Sequence, residues 1–198
     1  MFEVEIKLKI REMPDFREQL SRLNATHHMN LEHVDRYYNL PEQWGDFAQT
    51  DEALRLRTTR EFGIKNSTLL KEIHDITYKG PKLDKKIKAR IEHVCHLVEV
   101  ANMEAILHAL GFLKVTTITK KREVHTLSFQ SHAIECLVDE VEGLDGWYFE
   151  AEIMTENKAG MEAAKEILLR LVHSLGYQES ECISESYLEL FLTKNHAL

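Results

Sequence analysis

Along FEVEIKLKI, residues 2–10, the charged residues Glu3, Glu5, Lys7 and Lys9 fall at every second position. A strand turns successive side chains to opposite faces, so these four share one face while Phe2, Val4, Ile6, Leu8 and Ile10 share the other. The apolar face asks only for a hydrophobic partner. The charged face, two carboxylates beside two amines, reads either as solvated surface or as the wall of a polar cavity.

The same alternation recurs along the chain. Arg55 and Arg57 oppose Leu54 and Leu56. Lys88, Arg90 and Glu92 oppose Ala89 and Ile91. Lys120 and Arg122 lie two apart, Glu150 and Glu152 oppose Phe149, Ala151 and Ile153, and Lys79 and Asp139 stand near the ends of two further strands. If these faces converge, seven basic side chains (Lys7, Arg55, Arg57, Lys79, Arg90, Lys120, Arg122) meet six acidic ones (Glu3, Glu5, Glu92, Asp139, Glu150, Glu152). So many ions would be prohibitively costly if buried dry, so the cavity must be wet and filled. Arg forks onto two phosphate oxygens and Lys acts as a point charge, which suits a polyphosphate. Clustered carboxylates suit hard divalent cations, Mg²⁺ or Mn²⁺, which often share their oxygen ligands with phosphates. Together they read as a metal-triphosphate site. The competing reading is a set of surface salt-bridge ladders, each worth little.

Positioning these residues takes about eight strands, at 2–10, 33–40, 52–60, 69–80, 88–100, 115–129, 133–143 and 147–154. That number closes a small antiparallel barrel or makes a strongly curved sheet. Helical patterns lie between and after them. One starts near Met13 and carries Phe16, Leu20 and Leu23. A second places Met103, Ile106, Leu107 and Leu110 together before Gly111. A third runs from about Lys158 to Leu175, and a short one falls around SESYLELFL, residues 184–192. Helices outside the barrel would cover the apolar strand faces and leave the charged faces inward, where a barrel of this size holds one small ligand. The expected fold is α+β: an eight-stranded antiparallel β-barrel with helices packed outside, as a single domain over residues 1–198.

Bulk properties limit the partners. A net charge of −8 and a pI near 5.8 argue against nucleic acid and anionic membrane, which draw a basic excess. No apolar run approaches the roughly 20 residues needed to cross a bilayer, and charge begins at the third residue, so a cytoplasmic location is expected. Cys95, Cys136 and Cys182 are odd in number and widely spaced, which suits small core fillers rather than a disulfide framework or a zinc ribbon. Among the eleven histidines, His27 and His28 are adjacent, and His93 with His96 lacks a second pair at finger spacing, so the spacing speaks against a histidine metal site. No Ser- or Gly-rich linker interrupts the chain. Oligomeric state, including a homodimer, stays open.

Several motifs occur together and in order: E-x-E-x-K at 3–7, DRYYNL at 35–40, DFAQTDEALRLR at 46–57, TYKGP at 77–81, KAR-x-E at 88–92, K-x-R at 120–122, DEVEGL followed by GWYFEAEI, and SYLEL at 186–190. This set resembles the CYTH superfamily, the triphosphate tunnel metalloenzymes, over nearly the whole chain. TDEALRLR and TYKGP resemble its class IV adenylyl cyclase branch more than its thiamine triphosphatase branch. The resemblance implies a tunnel in which Lys7, Arg55, Arg57, Lys79, Arg90, Lys120 and Arg122 hold a triphosphate. It implies Mg²⁺ or Mn²⁺ on Glu3, Glu5, Asp139, Glu150 and Glu152, and catalytic roles for Glu5, Lys7 and Glu152. The implied reaction is cyclisation of ATP to 3′,5′-cyclic AMP and pyrophosphate. The alternatives are hydrolysis of an inorganic, nucleoside or thiamine triphosphate and, third, non-catalytic polyphosphate binding. Val94, His125, Glu185 and an added residue near Asp145 depart from the family pattern, which bears on which triphosphate fits.

Overall fold

The computed structural model describes residues 2–65, 67–81 and 88–196. The side chains of Phe2, Lys88 and Ala89, whose faces the alternation assigns, lie outside the described residues. The strands are β1 (Phe2–Lys9), β2 (Thr26–Asn39), β3 (Ala53–Phe62), β4 (Leu69–Lys79), β5 (Lys88–Arg90), β6 (Glu92–Leu97), β7 (Leu113–Phe129), β8 (His132–Val141) and β9 (Trp147–Thr155). The helices of four residues or more are α1 (Met13–Arg22), α2 (Phe47–Thr50), α3 (Val100–Ala109), α4 (Lys158–Ser174) and α5 (Tyr187–His196).

All nine strands form one antiparallel sheet in the order β5-β1-β9-β8-β7-β2-β3-β4-β6. This corrects the expected closed barrel. Among the described residues the ladder is open, with β5 paired only to β1 and β6 only to β4. The single strand expected over 88–100 is broken at Ile91. Counted as one broken strand, β5 and β6 give the expected eight. Because the two ends of the ladder are one residue apart in the chain, the sheet must curl until its edges meet at Ile91.

Long strands make the curl possible. β2 and β7 pair over most of their length, with register shifts between His27 and Met29 and between Tyr37 and Tyr38, and such bulges bend a strand and increase its twist. Gln130 and Ser131 both take positive φ between β7 and β8, the backbone of a two-residue hairpin turn that matches strand twist.

The outer face is apolar where helices lie on it. Val4, Ile6 and Leu8 of β1, Ile134, Cys136 and Val138 of β8, and Phe149, Ala151 and Ile153 of β9 pack against Phe16 and Leu20 of α1 and Ile167, Leu168, Leu171 and Val172 of α4. α3 covers a second patch, where Leu107 and Val100 meet Tyr38, Leu54 and Leu56. Two expectations fail here. Ile106 and Leu110 are exposed, because α3 lies on a narrow patch that takes only one edge of its apolar face. Ile91, assigned to an apolar face, is also exposed, and Cys95 is at the surface rather than in the core. Cys136 is buried as expected. Among the described residues no helix is long and apolar enough to cross a membrane.

α5 closes one end of the curled sheet. Tyr187, Leu188, Leu190 and Phe191 pack with Tyr37, Ile118, Val141 and Tyr148. The segment leading to α5 is laid along β1, where Ile183 N donates to Lys7 O at 2.8 Å and Leu8 bridges Cys182. Gly143, at φ +83°, is where this closure is tightest, since an added Cβ would stand 2.8 Å from Cε2 of Phe191. Gly143→Ala therefore meets both a left-handed backbone and a clash. It should cost about 1–3 kcal/mol and lower the melting temperature by about 2–4 °C per kcal/mol in a chain of this size. An unchanged melt would mean that α5 does not dock through Phe191.

Candidate functional site

Inside the curled sheet is a cavity of about 430 Å³. β1 supplies Glu3, Glu5 and Lys7, β9 supplies Glu150 and Glu152, and β7 supplies Lys120 and Arg122. Arg55 and Arg57 come from β3, Lys79 from β4, Arg90 from β5 and Glu92 from β6. Every site residue named from sequence lines this space except Asp139. That residue is fully buried behind the wall, under Lys120 and Arg122.

The cations are held by carboxylates at their bases. Arg57 forks onto Asp35 at 2.6 and 2.7 Å, and Arg122 forks onto Asp139 at 2.7 and 2.6 Å while also reaching Glu150. Lys120 Nζ stands 3.1 Å from Asp139, and Tyr187 OH donates to the same carboxylate at 2.8 Å. Lys7, 1% exposed, pairs with Glu150 at 3.2 Å. It also donates to the Glu185 carbonyl at 3.0 Å and lies 3.8 Å above the centre of the Tyr187 ring. Lys79 meets Glu92, Arg55 donates to Thr77 at 3.2 Å, and Arg90 comes within 3.7 Å of Asp51.

This crowding sets the protonation states. Burial would raise Asp35, but Arg57 and Arg55 outweigh it and hold the carboxyl well below its usual range. Asp139 is lowered in the same way, burial being overcome by Arg122 and Lys120. Burial, followed by the like charge of Arg122, lowers Lys120, and burial followed by Arg55 lowers Lys79. His33, buried with Nδ1 lacking a hydrogen-bond partner, is driven well below its ordinary value by burial and then by Arg57, Lys120 and Arg122. It is a neutral imidazole among cations.

The opposite wall has the opposite imbalance. The β1–β9 register sets Glu5 across from Glu152 and Lys7 across from Glu150. One carboxylate oxygen from each of Glu3, Glu5 and Glu152 falls within a 4.8 Å cluster. Burial and then Glu92 push Glu3 from 4.5 up to about 7, and burial and then Glu3 push Glu152 well above the carboxylate range. At Glu3 and Glu152 burial and like charge outweigh the nearby cations Lys79 and Arg122, and an all-oxygen donor set suits Mg²⁺ or Mn²⁺. The residues present therefore fit a hard divalent cation. Glu150 is engaged by Lys7 and Arg122, and Asp139 by Lys120 and Arg122, so the structure sets these two apart from the cluster.

Family comparison bears on the same residues. The family described as CYTH domain matches residues 1–187. The chain belongs to the CYTH family. CYTH enzymes process triphosphates and are in general metal-dependent. A Methanocaldococcus jannaschii protein provisionally named an adenylate cyclase is 33% identical over 190 residues, 96% of this chain and 98% of its own. A solved Pyrococcus horikoshii structure, also 33% identical, has a TM-score of 0.82 over 97% of this chain and 99% of that one. A Hippeastrum structure shares the CYTH fold at 17% identity and TM-score 0.62, covering 96% and 95% of the two chains.

Sequence reading did not assign the inner face of β2. His33, Asp35 and Tyr37 line the cavity at the same two-residue spacing that marked the other strands, and Glu135 and Tyr187 join them. The spacing on β2 was a usable signal; Tyr187 lay within the SYLEL motif but was given no role. The shift at Glu3 gives a pH dependence with a definite sign. Between 4.5 and about 7 the folded protein keeps a proton that the unfolded chain releases. That contribution to stability is complete below about 4.5 and is lost as pH rises to about 7. In metal-free protein, Glu3→Gln should flatten the melting temperature across this window, and Mg²⁺ should stabilise the parent more at pH 8 than at pH 5. An identical pH slope in parent and variant would remove Glu3 from the buried cluster.

Proposed function

We propose that the protein binds ATP with divalent cations in this cavity and converts it to 3′,5′-cyclic AMP and pyrophosphate. The observation that carries the reading is the meeting, in one cavity, of a wall of cations and a separate cluster of three carboxylates. Among the described residues the lining includes seven Lys and Arg beside eight Asp and Glu, so cations that enter with a polyanion would help to balance it. Bound at Glu3, Glu5 and Glu152, such cations would polarise phosphate oxygens and acidify a neighbouring hydroxyl.

The side chains account for the rest. Arg57 and Arg122, locked by forked contacts to Asp35 and Asp139, present pre-set guanidinium groups to phosphate oxygens without reorganising. Arg55, Lys79, Lys120 and Lys7 add charge along the same path, and neutral His33 offers hydrogen bonding without another charge. In the cyclisation a bond forms between the ribose 3′ oxygen and the α-phosphorus. The bond from that phosphorus to the oxygen bridging it to the β-phosphorus breaks, and pyrophosphate departs with the electron pair. Tyr187 and α5 close one end, while Met29 and Leu31 of β2 and Ile73 of β4 give the other an apolar flank against which a base can lie. The M. jannaschii relative, alike over both chains, carries the cyclase name.

Triphosphate hydrolysis is the second reading, because Met29, Leu31 and Ile73 offer no directional contact to tell adenine from another group. The Hippeastrum protein of the same fold is described as an adenylyl cyclase candidate with a dominant triphosphatase activity. Product identification decides. With ATP and Mg²⁺ or Mn²⁺, cyclic AMP with pyrophosphate supports the proposal. ADP with orthophosphate supports hydrolysis, with inorganic and thiamine triphosphate run alongside, and binding without turnover makes the protein a binding module.

Two variants test the site itself. Lys79→Ala removes one charge-assisted contact, worth roughly 1.5–3 kcal/mol, so ATP affinity should fall about tenfold or more. Glu152→Gln keeps shape but removes charge needed by a hard cation. Turnover should collapse while the metal-free melting temperature holds or rises, since carboxylate repulsion is relieved. Parental activity of Glu152→Gln across a Mn²⁺ titration would falsify the metal role.

A further inference from the structure

On the outer side of the β2–β7 pair, away from the cavity, His27, Glu123 and His125 come together. Each offers one ligand atom within a 4.8 Å cluster. His27 and His125 are cross-strand partners, their rings stacked with centroids 4.7 Å apart and planes inclined by 24°. The register shift between His27 and Met29 leaves His28 as the extra residue of a bulge, the device that re-aims a side chain on a strand. Glu123 Oε2 lies 3.4 Å from His125 Nε2, and Arg17 of α1 holds its other oxygen.

We infer that His27, His125 and Glu123 form a second cation site, specific for a borderline transition-metal ion of the zinc class and independent of the cavity chemistry. Two imidazoles and a carboxylate are a donor set that Zn²⁺ accepts with a fourth position left open, whereas Mg²⁺ prefers oxygen alone. Coordinating histidines commonly donate their other ring N–H to an oxygen, which fixes the tautomer. His27 does this already: Nε2 lies 2.8 Å from Asn30 Oδ1 and 3.1 Å from the Met29 carbonyl, so Nε2 carries the hydrogen and Nδ1 keeps the lone pair. Arg17 donates to Oε1 of Glu123, which leaves Oε2 on the side of the imidazoles. Nitrogens about 2.0–2.1 Å from a tetrahedral ion are about 3.4 Å apart, so the stacked rings would have to turn as the cluster closes on the ion. His125 and Glu123 lie on one strand and His27 on its neighbour, so the ion would staple β2 to β7 just outside the phosphate-facing wall.

The test separates this site from the cavity by working in a Glu3→Gln, Glu152→Gln background. Zn²⁺ is titrated calorimetrically with excess Mg²⁺ present, and Co²⁺ is used as an absorbing probe. One equivalent of Zn²⁺ should bind in this background, with a Co²⁺ spectrum of low coordination number. His27→Gln should weaken binding at least tenfold. His125→Gln should do the same, and because His125 is buried, circular dichroism on both variants confirms folding before the comparison. No Zn²⁺ binding in the cavity-silenced background overturns the inference. So does binding that survives His27→Gln unchanged, which would place the ion on other histidines.

Discussion

The carboxylate of Asp139 is the contact on which the architecture turns. Fully buried, it receives Arg122 and Lys120 from β7 and the hydroxyl of Tyr187 from α5. Each of those groups would be costly to bury alone. Ionised groups out of water are tolerated only when paired and hydrogen-bonded, and losing one partner leaves the others stranded. Asp139 therefore joins three elements at once: β8 that carries it, β7 whose cations it anchors, and the helix that closes the end of the cavity. Asp35 plays the same part for Arg57 on the other side. Asp139 works from beneath the wall, whereas Asp35 lines the cavity itself. Both hold their cations in place.

Anchoring on one wall produces tension on the other. With Glu150 drawn toward Lys7 and Arg122, Glu3, Glu5 and Glu152 are left clustered together. Glu3 and Glu152 answer by moving their ionisation upward. One wall is built to lower carboxylate pKa and the other to raise it. Such a separation of environments is typical of sites where a protein handles charge rather than only packing it. The difference is set by strand register, because β1 faces β9 with acid opposite acid at Glu5 and Glu152 and amine opposite acid at Lys7 and Glu150.

Much of this was legible in the sequence because a strand's period is two and needs no tertiary information. The inward sets on β1, β3, β7 and β9, and the apolar stripes of α1 and α4, follow from that spacing. What escaped depended on contacts between distant segments. Asp139 sat on the expected face, yet only its partners reveal that it lies under the wall rather than on it. The break at Ile91 comes from one strand being asked to pair with β1 along one half and β4 along the other. The exposure of Ile106 and Leu110 reflects how much sheet the helices cover. His27 and His125 are 98 positions apart, so no ligand-spacing rule could join them.

The β2–β7 pair shows how little sequence such a division needs. On β7, Lys120 and Arg122 face the cavity while Glu123 and His125 face outward, and Arg122 and Glu123 are consecutive residues. Slipping the register by one residue would turn the cavity-facing cations out and bring a carboxylate and an imidazole in, exchanging two chemistries at a stroke. The bulge at His28 restores the outer pairing of His27 with His125 without shifting the inner face, because an extra residue changes phase only beyond itself. From Met29 onward, β2 keeps Leu31, His33, Asp35 and Tyr37 on the cavity side. The irregularity in the ladder is thus what lets one pair of strands serve a polyanion on one face and a nitrogen-rich cluster on the other.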